Sequence, residues 1–285
     1  MNIFDTPKID CHAHILDPQR FHYAQKTTLN AAASNYAPSG QETASAPYFA
    51  GVMAAYGVRH ALLVGPNSGY GTDNRCMLDA IALGAGRFKG VAVVANDTST
   101  EQLQALQAQG IVGITFNMAL LGVDFYANCA PLLKRLEDLG LFAQLQVQAP
   151  KLPSVLKLFL DSGASLVIDH CGRPAADLGL QDAGFQALLA LGRAQRAVVK
   201  LSGFDKFASA DTVFADSAGH VQALLDAFGP THCVWASDWP HLRAQSRLDY
   251  GLLLKLFETQ VANADDRQAV LWDTPRRVFG FGCSA

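Results

Sequence analysis

Eight short apolar runs recur along the chain, and most are followed by a longer segment with helical periodicity. Lys8–His14, His60–Gly65, Gly90–Val94, Ile111–Phe116, Leu141–Val147, Ser165–Asp169, Ala197–Leu201 and Cys233–Ser237 have the length and composition of buried strands. Between them, Tyr48–Tyr56, Asn74–Leu83, Thr100–Gln109, Cys129–Leu139, Leu152–Ser162, Gly184–Arg193 and Gly219–Phe228 read as helices. Tyr250–Thr259 and Asp265–Val278 close the chain as two more. Strands that alternate with helices form a parallel sheet. Eight such units predict an α/β fold closed into a (β/α)8 TIM barrel. An open doubly wound sheet usually carries a glycine-rich turn after its first strand, and none stands here. A barrel of this kind uses all 285 residues, so 1–285 is expected to be a single domain.

Composition narrows the function classes. With 50% hydrophobic and 16% charged residues the chain can build one large core. A net charge of −3 gives no basic field for nucleic acid. No apolar stretch reaches membrane-spanning length, and the N-terminus lacks the pattern of a signal peptide. Six scattered cysteines without a Cys-x-x-Cys fit reduced thiols and a cytoplasmic setting. A monomer or small homo-oligomer acting on a small molecule is the expectation. Asp17–Pro47 breaks the rhythm: a long loop after strand 1, with Phe21, Tyr23 and Tyr36, is expected to cover the barrel mouth.

In such a barrel the reactive groups stand at the C-terminal ends of the strands. The first strand ends in His12-Ala13-His14, the sixth in Asp169-His170-Cys171-Gly172-Arg173-Pro174, and the eighth in Ser237-Asp238-Trp239-Pro240-His241. Residues i and i+2 of a strand share a face, so His12 and His14 should present two imidazoles side by side. Barrel closure would bring all three segments to one mouth.

These residues resemble a known family. Asp10-x-His12-x-His14, Asp169-His170-x-Gly172-x-Pro174 and Ser237-Asp238-Trp239-Pro240-His241 are similar to motifs of the amidohydrolase superfamily. The resemblance is closer to the branch of 2-pyrone-4,6-dicarboxylate lactonase and the sugar-lactone and muconolactone hydrolases. Tyr70-Gly71-Thr72-Asp73-Asn74, Phe116-Asn117, Lys200-Leu201-Ser202-Gly203 and Asp273–Gly280 match that branch as well.

The resemblance implies a hydrolase that opens a small carboxylated or hydroxylated lactone. Asp238 would activate water, with His12, His14 and His170 polarising the carbonyl and at least one of them protonated. It implies chemistry without a metal. The alternative is a single divalent ion such as zinc on His12, His14 and Asp238, serving a decarboxylase or hydratase of an unsaturated or aromatic acid. The superfamily's fifth-strand histidine is missing: that strand carries Gln144 and Gln146, and neutral amides are poor zinc ligands. Substrate contacts are expected from Ser68, Tyr70, Arg75, Asn117, Gln146, Arg173, Lys206 and His241. Two arginines with which the branch grips carboxylates are replaced here by Thr115 and Lys206, which argues for a less highly charged substrate. His22, His60, His220 and His232 are expected to have no role, and Trp239 to serve packing.

Overall fold

The computed structural model describes residues 2–23, 36–244 and 248–282. Eight strands lie side by side in chain order, every neighbouring pair parallel. They are β1 Lys8–Ala13, β2 Val58–Val64, β3 Phe88–Ala92, β4 Ile111–Asn117, β5 Phe142–Gln146, β6 Leu166–Ile168, β7 Ala197–Leu201 and β8 Cys233–Trp235. The major crossover helices are α1 Ala46–Ala55, α2 Arg75–Leu83, α3 Thr100–Gln107, α4 Ala130–Leu139, α5 Leu152–Asp161, α6 Ala183–Arg193 and α7 Ala218–Phe228. This is the (β/α)8 barrel that the alternation predicts. Helix α8, Tyr250–Gln260, follows β8.

Local sequence explains the element ends. Ser99 caps α3 in a reciprocal capping box with Gln102. Gly140 ends α4 in the left-handed conformation that glycine adopts without a Cβ penalty. The Asp265–Val278 segment is not one helix. It is divided into Ala264–Gln268, a π turn over Ala269–Asp273, and Thr274–Phe279. Pro275 lies in the first turn of the last piece, where its missing N–H costs least.

Two apolar layers hold the barrel. Strand residues such as Ala61, Ile114, Leu145, Ile168, Val199 and Leu201 pack with the helices in the larger cluster. Their alternates Ile9, Leu62, Val64, Val91, Val167, Val198 and Val234 form a second cluster, joined by Phe279 and Phe281 from the chain's last turn. That alternation is the period-two consequence of the pleat.

The barrel closes by a different device from its other seven seams. Between β8 and β1 there is a single bridge, Ala13 to Trp239. Asp238 N–H donates to His12 O at 2.9 Å, and His14 N–H to Trp239 O at 2.8 Å. Below them Asp10 accepts from Ser237 N at 3.0 Å and Ser237 Oγ at 2.5 Å, and from Tyr250 Oη at 2.8 Å. In β1 three residue steps from Asp10 to Ala13 oppose two from Ala61 to Leu63. This is a β-bulge, which re-aims side chains. It turns Asp10 towards Tyr250 at the start of α8 while His12, two residues on, enters the barrel.

The described parts of the long loop pack at the mouth. Leu16 bridges Ala44, Tyr23 stacks obliquely on Tyr70 with centroids 4.9 Å apart, and Arg243 lies 4.3 Å from the Tyr36 ring centre. Residues 24–35, the middle of the expected cover, lie outside the described residues. The five described cysteines are unpaired and buried. No described helix is long and apolar enough to cross a membrane.

Candidate active site

The three segments named from the sequence meet at one point above the strand ends. His12 Nε2 and His14 Nε2 each lie 3.6 Å from Asp238 Oδ1, and His170 Nε2 lies 3.9 Å from it. Lys206 Nζ is 3.3 Å from the other oxygen, Oδ2. The His12 ring stands 4.9 Å from that of His14 and 4.7 Å from that of His170. All five side chains are largely buried. The imidazole distances exceed direct hydrogen bonds, so the groups surround a common point rather than saturating one another.

The backbone is bent to achieve this. His170, Cys171 and Arg173 after β6, and Asp238, His241 and Arg243 after β8, all have positive φ without being glycine. Such conformations cost about 1–3 kcal/mol each and cluster where function demands them. Gly203 supplies a matching constraint at the end of β7. Its φ is +65°, and a Cβ there would come within 2.6 Å of the His170 ring.

Second partners orient the imidazoles. His14 Nδ1 lies 2.7 Å from Val64 O, so it donates there. His170 Nδ1 is 3.0 Å from Ser202 Oγ. Beneath His12 a fully buried network runs through three strands: Lys200 Nζ donates to Gln144 Oε1 at 2.6 Å and lies 3.0 Å from Asp169 Oδ1. Gln144 Nε2 donates in turn to Asp169 Oδ2 at 2.9 Å.

The charges follow from these contacts. Burial pushes the Asp238 carboxyl up, but His170, Lys206, His14 and His12 together outweigh it and hold it well below the usual carboxylate range. Burial lowers His170 to about 3, and burial followed by the Lys200 charge lowers His12. These two imidazoles are therefore neutral near pH 7. Burial lowers Lys206, but Asp238 and Asp205 reverse this and keep it an ammonium.

A cavity of about 350 Å³ opens over the cluster. His12, His14, His170 and Asp238 form its floor, and Ser68, Asn117, Gln146, Arg173 and Lys206 of the expected substrate contacts line it. Three expected contacts do not. Tyr70 is buried and donates to Phe21 O, so its ring supports the loop. Arg75 is exposed and forks onto Asp73 at the start of α2. His241 is turned into a neighbouring cavity with Tyr48, Trp239 and Tyr250. Asn67, Asp205 and Arg243 line the main cavity without having been singled out. Lys200 was also passed over, although a lone charge inside the run Ala197-Val198-Val199-Lys200-Leu201 was a visible signal.

Donor atoms of His12, His14 and Asp238 lie within 4.8 Å of one another, as do those of His12, Asp169 and His170. His14 suits a divalent ion, because donation from Nδ1 leaves its Nε2 lone pair facing the cluster. Asp238 suits one too.

An amidohydrolase family model matches residues 9–281. The chain belongs to the amidohydrolase family. It is 25% identical to the 2-pyrone-4,6-dicarboxylate hydrolase of Comamonas testosteroni, over 95% of this chain and 89% of that one. It is 26% identical to the 4-sulfomuconolactone hydrolase of Hydrogenophaga intermedia, over 80% and 77%. Among solved structures, a proposed 2-pyrone-4,6-dicarboxylic acid hydrolase from Acinetobacter baumannii, with citric acid bound, superposes with a TM-score of 0.84. That match has 29% identity and covers 96% of this chain and 99% of that one.

Proposed function

We propose that this amidohydrolase hydrolyses a small lactone carrying one anionic group, without a metal. The observation that carries the reading is the convergence of three imidazoles and one ammonium on the single carboxylate Asp238. Asp238 is ionised and takes a proton from water as the water oxygen attacks the lactone carbonyl carbon. Negative charge moves to the carbonyl oxygen, where an N–H of the imidazole cluster stabilises it. Donors preset for such an oxyanion supply about 10²–10³ in rate. His14 already donates from Nδ1 to Val64, so it offers a second proton only as an imidazolium. The carbon–oxygen bond of the ring then breaks, and the protonated Asp238 returns its proton to the leaving oxygen. Lactone and water become one hydroxy acid.

The cavity supports a singly charged substrate. Arg173, Lys206 and Arg243 line it against two carboxylates, Asp205 and Asp238. Lys206 is engaged by both of those, at 2.7 and 3.3 Å. Arg173 makes no side-chain hydrogen bond among the described residues. Burial lowers it and the three nearby aspartates oppose that, and a guanidinium stays charged throughout. A planar two-pronged cation without a side-chain hydrogen bond among the described residues, lining a cavity, suits a carboxylate. The citric acid in the Acinetobacter baumannii relative and the lactone hydrolases among the relatives support an acidic lactone as the substrate class. The fifth strand, where the superfamily has a histidine, carries Gln144, which is turned into the Lys200–Asp169 network, and Gln146, which lines the cavity; two neutral amides there support the metal-free reading.

The test is a panel of mono- and dicarboxylated lactones assayed with chelator-treated protein. We expect hydrolysis of a monocarboxylated lactone to survive chelation and Asp238→Asn to lower kcat/KM by about 10³-fold or more. Full activity in Asp238→Asn would exclude it as the base. Loss of activity on chelation, restored by zinc, would overturn the metal-free reading.

A further inference from the structure

Lys200 is the one charged residue of β7, flanked by Val199 and Leu201, and its side chain is fully buried. It has three partners: Gln144 Oε1 at 2.6 Å, Asp169 Oδ1 at 3.0 Å and His12 Nδ1 at 3.2 Å. An ammonium has three N–H donors and accepts nothing. In a fully buried setting each donor needs an acceptor, because an unmet one carries its full desolvation cost. Lys200 thus faces three acceptors, meeting Asp169 Oδ1 as an ion pair rather than an aligned hydrogen bond.

The match has a consequence for His12. If Nδ1 accepts from Lys200, it holds a lone pair, and a neutral imidazole then carries its hydrogen on Nε2. The opposite tautomer would set an N–H against an ammonium at 3.2 Å and leave Lys200 one acceptor short. Its compensation would be the approach of Nδ1 to Asp169 Oδ1, a buried oxygen without a hydrogen-bond partner among the described residues, but at 3.4 Å that contact is long for a hydrogen bond to a carboxylate.

We propose that Lys200 is a positioning residue that holds His12 as the Nε2–H tautomer, so that His12 presents a donor to the mouth and no lone pair to a metal. A zinc ligand must offer a lone pair. The set of His12, His14 and Asp238 therefore has the spacing of a metal site while lacking one of its three donors. The two histidines of β1 become opposites. His14 is anchored by donating from Nδ1 to a backbone carbonyl, and His12 by accepting at Nδ1 from an ammonium. Lys200 also places a fixed positive charge against the Nδ1 side of His12, opposite the Nε2 that faces Asp238. The use of the His12 donor on a lactone carbonyl rests on the function proposed above; the tautomer itself does not.

The experiment is long-range ¹H–¹⁵N spectroscopy on protein labelled at histidine, with His12 assigned by loss of its signals in His12→Asn. In the unsubstituted protein near pH 7.5 we expect a single species with Nδ1 unprotonated and Nε2 protonated. Equimolar zinc should leave it unshifted. In Lys200→Met, and in Lys200→Met/Asp169→Asn, which avoids a lone buried carboxylate, His12 should lose that single pattern, and zinc should shift both His12 and His14. A protonated Nδ1 in the unsubstituted protein overturns the proposal, as does zinc binding there through His12 Nε2. The unsubstituted spectrum decides even if neither variant folds. An inactive protein with the expected tautomer would sink the lactonase reading and leave this one standing.

Discussion

Two of the molecule's lysine–aspartate pairs lie at different depths in the barrel. Lys200 and Asp169 stand 3.0 Å apart within the strand layer, both without solvent exposure. Lys206 and Asp238 stand 3.3 Å apart at the mouth, at 14% and 10% exposure and beside the cavity. In the lower pair Lys200 reaches Gln144 and His12 and Asp169 Oδ2 accepts from Gln144, while Asp169 Oδ1 meets Lys200 as an ion pair. In the upper pair, Asp238 Oδ1 has only distant imidazoles around it. The same two residue types thus form a fixed ion pair in one place and, in the function proposed above, reactive groups in the other, and the difference lies in which pair faces the cavity.

That contrast can be broken from either side. Removing the lower cation by Lys200→Met leaves Asp169 buried and unpaired. Breaking a buried pair in this way costs about 3–5 kcal/mol, and urea unfolding should show a loss of that size. An unchanged midpoint would mean that the network is not the support described here. Acid should weaken the same region by a somewhat smaller amount. His170 is lowered to about 3 in the folded state from an unfolded value near 6.5. Below pH 6.5 the unfolded chain therefore binds the extra proton, and stability falls as pH falls. The carboxylates Asp169 and Asp238 are held below their usual range, Asp169 mainly because Lys200 and His12 outweigh its burial, and they act in the same direction below about pH 4. Urea midpoints should thus correspond to roughly 2–3 kcal/mol less stability at pH 4.5 than at pH 7.

The smallest stability effect is expected at the mouth, where Lys206→Met should cost on the order of 1 kcal/mol. Its signature lies in the pH profile. Without the ammonium, the Asp238 carboxyl rises towards its ordinary value, so the acid limb of kcat/KM moves to higher pH. A profile that stays in place would show that Lys206 does not tune the base.

Much of this arrangement was legible in the sequence because it depends on period and order. The eight apolar runs coincide with the eight strands within a few residues, and strand ends are where barrels keep reactive groups. His12, His14, His170 and Asp238 could therefore be placed together without coordinates. What the sequence hid depends on side-chain direction. A simple period of two would put Asp10 on the His12 face, but the bulge in β1 separates them, and no residue there announces an extra step. Tyr70 stood in a plausible loop, yet its hydroxyl found Phe21 O. Arg75 stood next to Asp73 and forked onto it locally, a local pairing that competes with any ligand. Lys200 was visible as a charge in an apolar strand, but its three partners come from β1, β5 and the end of β6, and only the closed barrel brings them together.

The β8–β1 seam carries a last consequence. Residues 12 and 238 are joined by a backbone hydrogen bond, and the same two residues face each other across the cavity floor. The final stitch of the barrel and the assembly of its chemistry are one event, spanning almost the whole length of the chain. Contacts so distant in sequence form late in folding because loop closure must be met first. With the last strand unpaired, Asp238 would not meet His12. Turnover regained during refolding should therefore track closure of the β8–β1 seam.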